Sequence, residues 1–358
     1  MSQSDVGRSA KEKAQMTALP WLQRLDAIVD TRALGRAVFA VVPLLLLAVL
    51  SGNADWLSVA IMPIAMLVAH DRSQLAPLGV VAHCLAISAA FVLLMASLAD
   101  PLLFILATSL LGMVSVWVTA GGSALRSLGN FTFIPALYLA CENAEGVTGH
   151  ALMTKATGVV PLLIVAALPI VLAVSIEHLG SRSAALPSFA HFRKWTRLPR
   201  DIERSAYKER MVTVALAVAC AAALVEWRHI DHGQWVIWSA ASVVTGDVLT
   251  ARKKFRARIT GAIVGVSLGI VVGLLIPHVA PVRVVVTLGA LLTLVCIRPY
   301  TLAFGTRCAC VAMAFVVAGQ PWLSGGERLL NVAAGSAVGL LWALAAAVVT
   351  PYFERRSG

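Results

Sequence analysis

The chain has 358 residues, 59% of them hydrophobic and 13% charged, with a mean hydropathy of +0.84 and a formal net charge of +11. A soluble domain is about half apolar and about one-quarter charged, so this composition excludes one ordinary soluble core and selects a polytopic membrane protein. In that class an excess of Lys and Arg belongs to cytoplasmic loops, which removes nucleic acid as an expected partner.

The chain opens on a polar stretch of mixed charge with no apolar h-region, so no cleavable signal peptide is expected. Asp26–Arg36 reads as an amphipathic lead-in at the membrane surface. Apolar runs then fall at 37–50, 56–69, 75–99, 101–118, 128–141 and 156–176. After a polar stretch they resume at 211–225, 235–249, 259–276, 282–297, 302–318 and 329–350. The expectation is an all-α polytopic membrane protein of about twelve transmembrane segments, arranged as two parallel six-helix repeats. The expected units are a cytoplasmic N-terminal segment 1–34, a first repeat 35–178, a basic linker 179–210, a second repeat 211–352 and a tail 353–358.

Charge supports an orientation. Arg8, Lys11, Lys13, Arg24, Arg32 and Arg36 precede the first run, and Arg193, Lys194, Arg197 and Arg200 fill the linker. Arg252, Lys253, Lys254, Arg256 and Arg258 follow the eighth run, and Arg355 and Arg356 follow the last. Odd-numbered loops are acidic or nearly neutral, as with Glu142 and Glu145. The positive-inside rule therefore places both termini and the linker in the cytoplasm. A repeat is suggested by one constant offset that pairs Asp71 with Asp247, Pro101 with Pro277, Gly129 with Gly305 and Gly149 with Gly325.

No nucleophile elbow, Walker loop, Rossmann fingerprint or HExxH motif is present, so no enzyme, cofactor or metal site is expected. The cysteines Cys84, Cys141, Cys220, Cys296, Cys308 and Cys310 form no CxxC and read as small buried apolar residues. Gly261, Gly265, Gly269 and Gly273, each four apart, make a small-residue face for a neighbouring helix or for a homodimer.

Charges inside or at the ends of apolar runs are costly and tend to face a partner or a wet cavity. Asp71 and Asp247 end the second and eighth runs; each is read either as a helix cap or as a proton-coupling carboxylate. His83, on an otherwise apolar run, is a hydrogen-bonded core residue or a proton relay. Arg126 and Asn130 open the fifth run and Arg307 opens the eleventh, where arginines beside freed backbone N–H groups can hold a carboxylate. Those runs are short and interrupted at matching positions, which marks them as a transporter site. Trp235 and Trp238 would line it, unless they belong to an interfacial belt.

Several of these stretches resemble the fusaric acid resistance protein-like family of inner-membrane transporters. They are Gln234-Trp235 through Val244, the basic run, Arg258-Ile259-Thr260-Gly261-Ala262-Ile263-Val264-Gly265, and Glu327-Arg328-Leu329 through Gly335 and Gly339. The first half matches only from Arg126-Ser127-Leu128-Gly129-Asn130-Phe131-Thr132 through Ala140-Cys141-Glu142. The resemblance implies proton-coupled export of small, often aromatic, organic acids, with a periplasmic adaptor as partner. Larger relatives carry a soluble domain between the halves, where this chain has only its linker. The rival expectations are a passive organic-anion channel and a non-transporting scaffold that docks partners through the basic linker.

Overall fold

In lipid every backbone polar group needs an internal partner, so apolar runs of this kind form helices. The computed structural model describes residues 27–121, 125–180, 206–244 and 247–357. Most of the expected N-terminal segment and of the basic linker lies outside the described residues, as do 245–246.

The helices in chain order are α1 (Thr31–Ser51), α2 (Asp55–Ser58), α3 (Ile61–Ser73), α4 (Pro77–Ser97), α5 (Pro101–Trp117), α6 (Arg126–Ala144) and α7 (His150–Gly180). The second part holds α8 (Ala206–Arg228), α9 (Gln234–Val244), α10 (Val248–Leu275), α11 (Ala280–Cys296), α12 (Tyr300–Val317) and α13 (Trp322–Ser357). Local chemistry sets several boundaries. Asp30 caps α1 by accepting from the Ala33 N–H at 3.0 Å, and Gly52 ends that helix in the left-handed region. Asp100 caps α5 ahead of Pro101, which fits the first turn because it has no N–H to satisfy.

The expectation of twelve crossings in two six-helix repeats is not met. Among the described residues seven helices are long and apolar enough to cross a membrane: α1, α4, α7, α8, α10, α12 and α13. A crossing needs roughly 20 residues. Helices α3 and α9 have 13 and 11 residues, and α5 and α11 have 17 each. Helix α6 has 19 residues but carries Arg126, Asn130, Glu142 and Asn143. The physical reason is that an apolar run fits two places equally well, the lipid or the middle of a bundle. Helices α3 and α9 are buried over nearly their whole surface, so their apolar residues face protein. By contrast, the crossing helices leave Leu50, Ile176, Leu268 and Leu341 exposed on their outer faces.

A large core runs through α1, α3 to α9 and the inner face of α11. A smaller one, built from Ala262, Val266, Phe304, Cys308, Ala312 and Val332, joins α10, α12 and α13. The glycine face of α10 is consumed inside the chain. A Cβ on Gly265 would collide with the Gly305 carbonyl, and one on Gly269 with that of Ala309. Between the two uses read from sequence, close helix packing within the chain is the one observed. Gly335 and Gly339 of α13 rest in the same way on the backbone of α9 at Val236 and Ala240.

Candidate functional site

The carboxylates singled out from sequence lie at one end of the bundle, with the starts of α1, α6, α8 and α10. Asp247 is exposed and caps α10, its Oδ1 accepting from the Thr250 N–H at 2.6 Å. That bond holds its carboxyl below the usual range, helped by the charges of Arg210 and Arg126. Asp71 pairs with Arg36, whose other nitrogen meets Glu177 at 3.3 Å; His70 Nε2 approaches the same Glu177 at 3.5 Å. Arg126 is exposed among Arg210, Asp247 and Lys254, and Asn130 is half-buried one turn further along α6.

His83 is buried on α4. Its Nε2 lies 3.2 Å from the Phe131 carbonyl, which can only accept, so the ring proton is on Nε2 and Nδ1 is left as a buried acceptor without a partner. It lines a cavity of about 300 Å³ between α4, α5 and α6, otherwise walled by apolar side chains, Ser115 and Thr132. This cavity does not include the arginines described next.

Arg258, Arg307 and Arg328 come together around the short helix α9. Arg328 is 2% exposed and Arg258 3%. Arg258 donates to Ser239 Oγ at 2.7 Å and to Ser242 Oγ and the Tyr300 hydroxyl at 3.2 Å each, and lies over the Phe304 ring. Arg328 sits 3.6 Å from the centre of the Trp235 ring, which stacks on Trp238. Arg307, half-buried on α12, donates to Thr293 at 3.1 Å, and its charge interacts with both other arginines. Among the described residues none of the three makes a salt bridge to an acid. Several of their donors are buried without an acceptor: Arg328 Nε and Nη1, Arg258 Nε, and the neighbouring Trp235 Nε1. A buried cation with no counter-ion is costly. Two of them with idle donors, half-buried Arg307 beside them and flat aromatic faces form a site for an acceptor-rich anion.

Sequence reasoning placed Arg307, Trp235 and Trp238 at the site but read Arg258 as part of the basic run and a motif, and Arg328 as a motif residue in a surface ion-pairing cluster. Their position well inside apolar helices was the signal, since such arginines face a bundle interior or a cavity. Arg126 and Asn130 belong instead to the basic end.

The other end of α9 carries a group that sequence reasoning left among loop charges. Gln234 Nε2 donates to Glu142 Oε1 at 3.0 Å, and Glu145 pairs with His232 Nδ1 at 3.1 Å. Asn331 of α13 pins the loop by donating to the Asp231 carbonyl at 2.8 Å. Glu142 is at the last turn of α6, outside the seven crossing helices. Burial, seconded by the Glu145 charge, pushes its carboxyl up to about 7. The hydrogen bond it donates to Glu145 raises His232 above its usual value. Ligand atoms of Glu142, Glu145 and His232 lie within 4.8 Å of one another. His232 is already engaged by Glu145, and the Arg328 cation acts on Glu142, so the donor set favours protons over a divalent ion.

Comparison with known proteins bears on the same part of the chain. Residues 218–342 match the family described as fusaric acid resistance protein-like. The match covers roughly one third of the chain, starting inside α8 and ending inside α13, and it contains all three clustered arginines and the whole of α9. No curated protein matches, and no solved structure does. With seven apolar crossing helices among the described residues, the chain is a multi-pass membrane protein with a segment similar to that family.

Proposed function

We propose that the protein is an inner-membrane transporter that exports small organic acids, aromatic ones foremost, without altering them chemically. The observation that carries this reading is the trio of buried Arg258 and Arg328 with half-buried Arg307, none of which pairs with an acid among the described residues. A carboxylate would take the idle donors of Arg328, and an aromatic ring would find Trp235, Trp238 and Phe304 beside it. Helix α9 lines the route: Trp235 meets Arg328 near its start, and Ser239 and Ser242 meet Arg258 toward its end. A short helix buried among crossing helices is where transporters place their binding sites. Lys254, Arg126 and Asn130 form the approach from the basic end, with Lys254 donating to the Ser242 carbonyl at 3.0 Å. The family match supports the same reading, because it spans the trio.

The test is transport of benzoate and a panel of ring-substituted benzoates by the full chain in proteoliposomes. Saturable transport is expected for at least one acid, with a loss of at least about tenfold in Arg328→Met and in Arg258→Met, the scale of one lost charge-assisted contact. Transport of no acid by the natural protein would overturn the function. Unchanged rates in both variants would overturn the site.

A further inference from the structure

Glu142 stands where two parts of the molecule meet. It belongs to α6, outside the matched residues, yet its partner Gln234 is the first residue of α9 and only 2% exposed. The next residue on α9, Trp235, is the one that carries Arg328. Two adjacent residues of α9 therefore link a half-buried carboxylate to a buried guanidinium. The two charges act on each other without forming a salt bridge, and Arg328 keeps two idle donors.

We propose that Glu142 is the proton-binding partner of the anion site, so that an organic anion settles on Arg328 as Glu142 takes up a proton. The argument rests on the anion-transport reading above. Ionised Glu142 supplies part of the negative charge that the arginine lacks. An incoming carboxylate replaces that charge, and two carboxylates beside one cation cannot both stay ionised cheaply. Protonation relieves the conflict; its reciprocal is that a lower pH strengthens anion binding. The step balances: one anion and one proton enter the site, and the net acid leaves it.

The surroundings are suited to this. Tyr138 is on α6 with Glu142, Glu145 follows the last residue of that helix, His232 and Asp231 are in the loop before α9, and the Arg328 charge acts on Glu142 from α13. His232 is held by Glu145 and stacked 5.2 Å from Phe315, which fixes the second carboxylate as its ion-pair partner. Gln234 offers Glu142 an amide, and among the described residues no salt bridge reaches Glu142. The carboxyl pushed up to about 7 places the change in the physiological range.

The experiment is binding of benzoate to the purified full chain in detergent from pH 6 to 8.5, with proton uptake read by an indicator dye in weak buffer. Benzoate stays ionised throughout this range, so any proton taken up belongs to the protein. The dissociation constant should rise toward about tenfold per pH unit above pH 7, the limit for one linked proton. Proton uptake should approach one per benzoate at pH 8. Glu142→Gln should bind at pH 8 as the natural protein does at pH 6 and take up no proton, while His232→Gln and Asp247→Asn should keep the slope. Binding without proton uptake in the natural protein overturns the inference and leaves the transport reading standing, and this holds even if the Glu142 variant fails to fold. A slope removed by His232→Gln and kept by Glu142→Gln also overturns it. Failure of benzoate and of every acid in the panel to bind overturns the transport reading itself.

Discussion

The two ends of the bundle use carboxylates in opposite ways. At the basic end Asp71 is answered by Arg36, and exposed Asp247 by the backbone of its own helix. At the far end, the length of α6 away, Glu142 is half-buried and, among the described residues, is answered by an amide and by no salt bridge. The first two already have donors of their own. The third is held near its point of protonation by burial. A carboxylate fit for coupling is thus one the fold has left short of cations, and its place at the end of an apolar run says little about that.

The comparison can be broken most forcefully at Arg328. Replacing it with Met removes an uncompensated buried charge at similar volume. We expect transport to collapse while stability in detergent rises, by about 1–4 kcal/mol on the scale of other buried charge replacements. A fall in the melting temperature would mean that Arg328 is a structural residue.

Next comes the pH dependence of stability. A carboxyl raised from 4.5 to about 7 binds its proton more tightly in the folded state. Its contribution is fully present at low pH and is lost as pH rises from about 4.5 through about 7, by a few kcal/mol at most. Glu142→Gln should flatten that part of the stability profile measured by thermal unfolding. A profile that keeps its slope in the variant would assign the titration elsewhere.

Packing between the ends gives a third test. Gly269→Leu should push α10 off the Ala309 backbone and cost about 1–3 kcal/mol or more. Gly158→Ala on α7, which meets nothing within 4 Å, should stay near neutral or gain slightly from helix propensity. Equal effects in a paired unfolding experiment would contradict the observed packing.

The smallest effects belong to the basic end. Asp71→Asn loosens a partly exposed pair and should cost less than about 1 kcal/mol, with transport at pH 6 and pH 8 unchanged in ratio. Asp247→Ala should fray the start of α10 slightly and leave the same ratio unchanged. A flattened pH ratio in either variant would move the coupling role back to that end.

Much of this was legible in the residues and some was not, for identifiable reasons. Arg307, Trp235 and Trp238 were found as site candidates because a charge or an indole in an apolar helix is conspicuous. Arg258 and Arg328 stood in the same kind of helix, but they lie in motif stretches at the end of a basic run and beside Glu327, where ordinary surface pairing explains a charge equally well. Glu142 was hidden in a loop that looked simply acidic. The count of crossings went astray at five helices, most plainly at α3 and α9, whose apolar residues face other helices and not lipid.

Composition, hydropathy and the punctuation of apolar runs by charge determined that the chain is helical and lives in a membrane, because those properties are sums over local residues. The small-residue ladder on α10 was equally local, although the neighbour it serves was not. Tertiary structure alone decided which helices are interior, which arginines lie buried without an acid, and which carboxylate is short of a cation. The physical reason is distance along the chain: Glu142 meets Gln234 92 residues away, and Asn331 meets Asp231 100 away. Desolvation and counter-charge depend on such contacts, and they turn an ordinary glutamate at a helix end into a proton site.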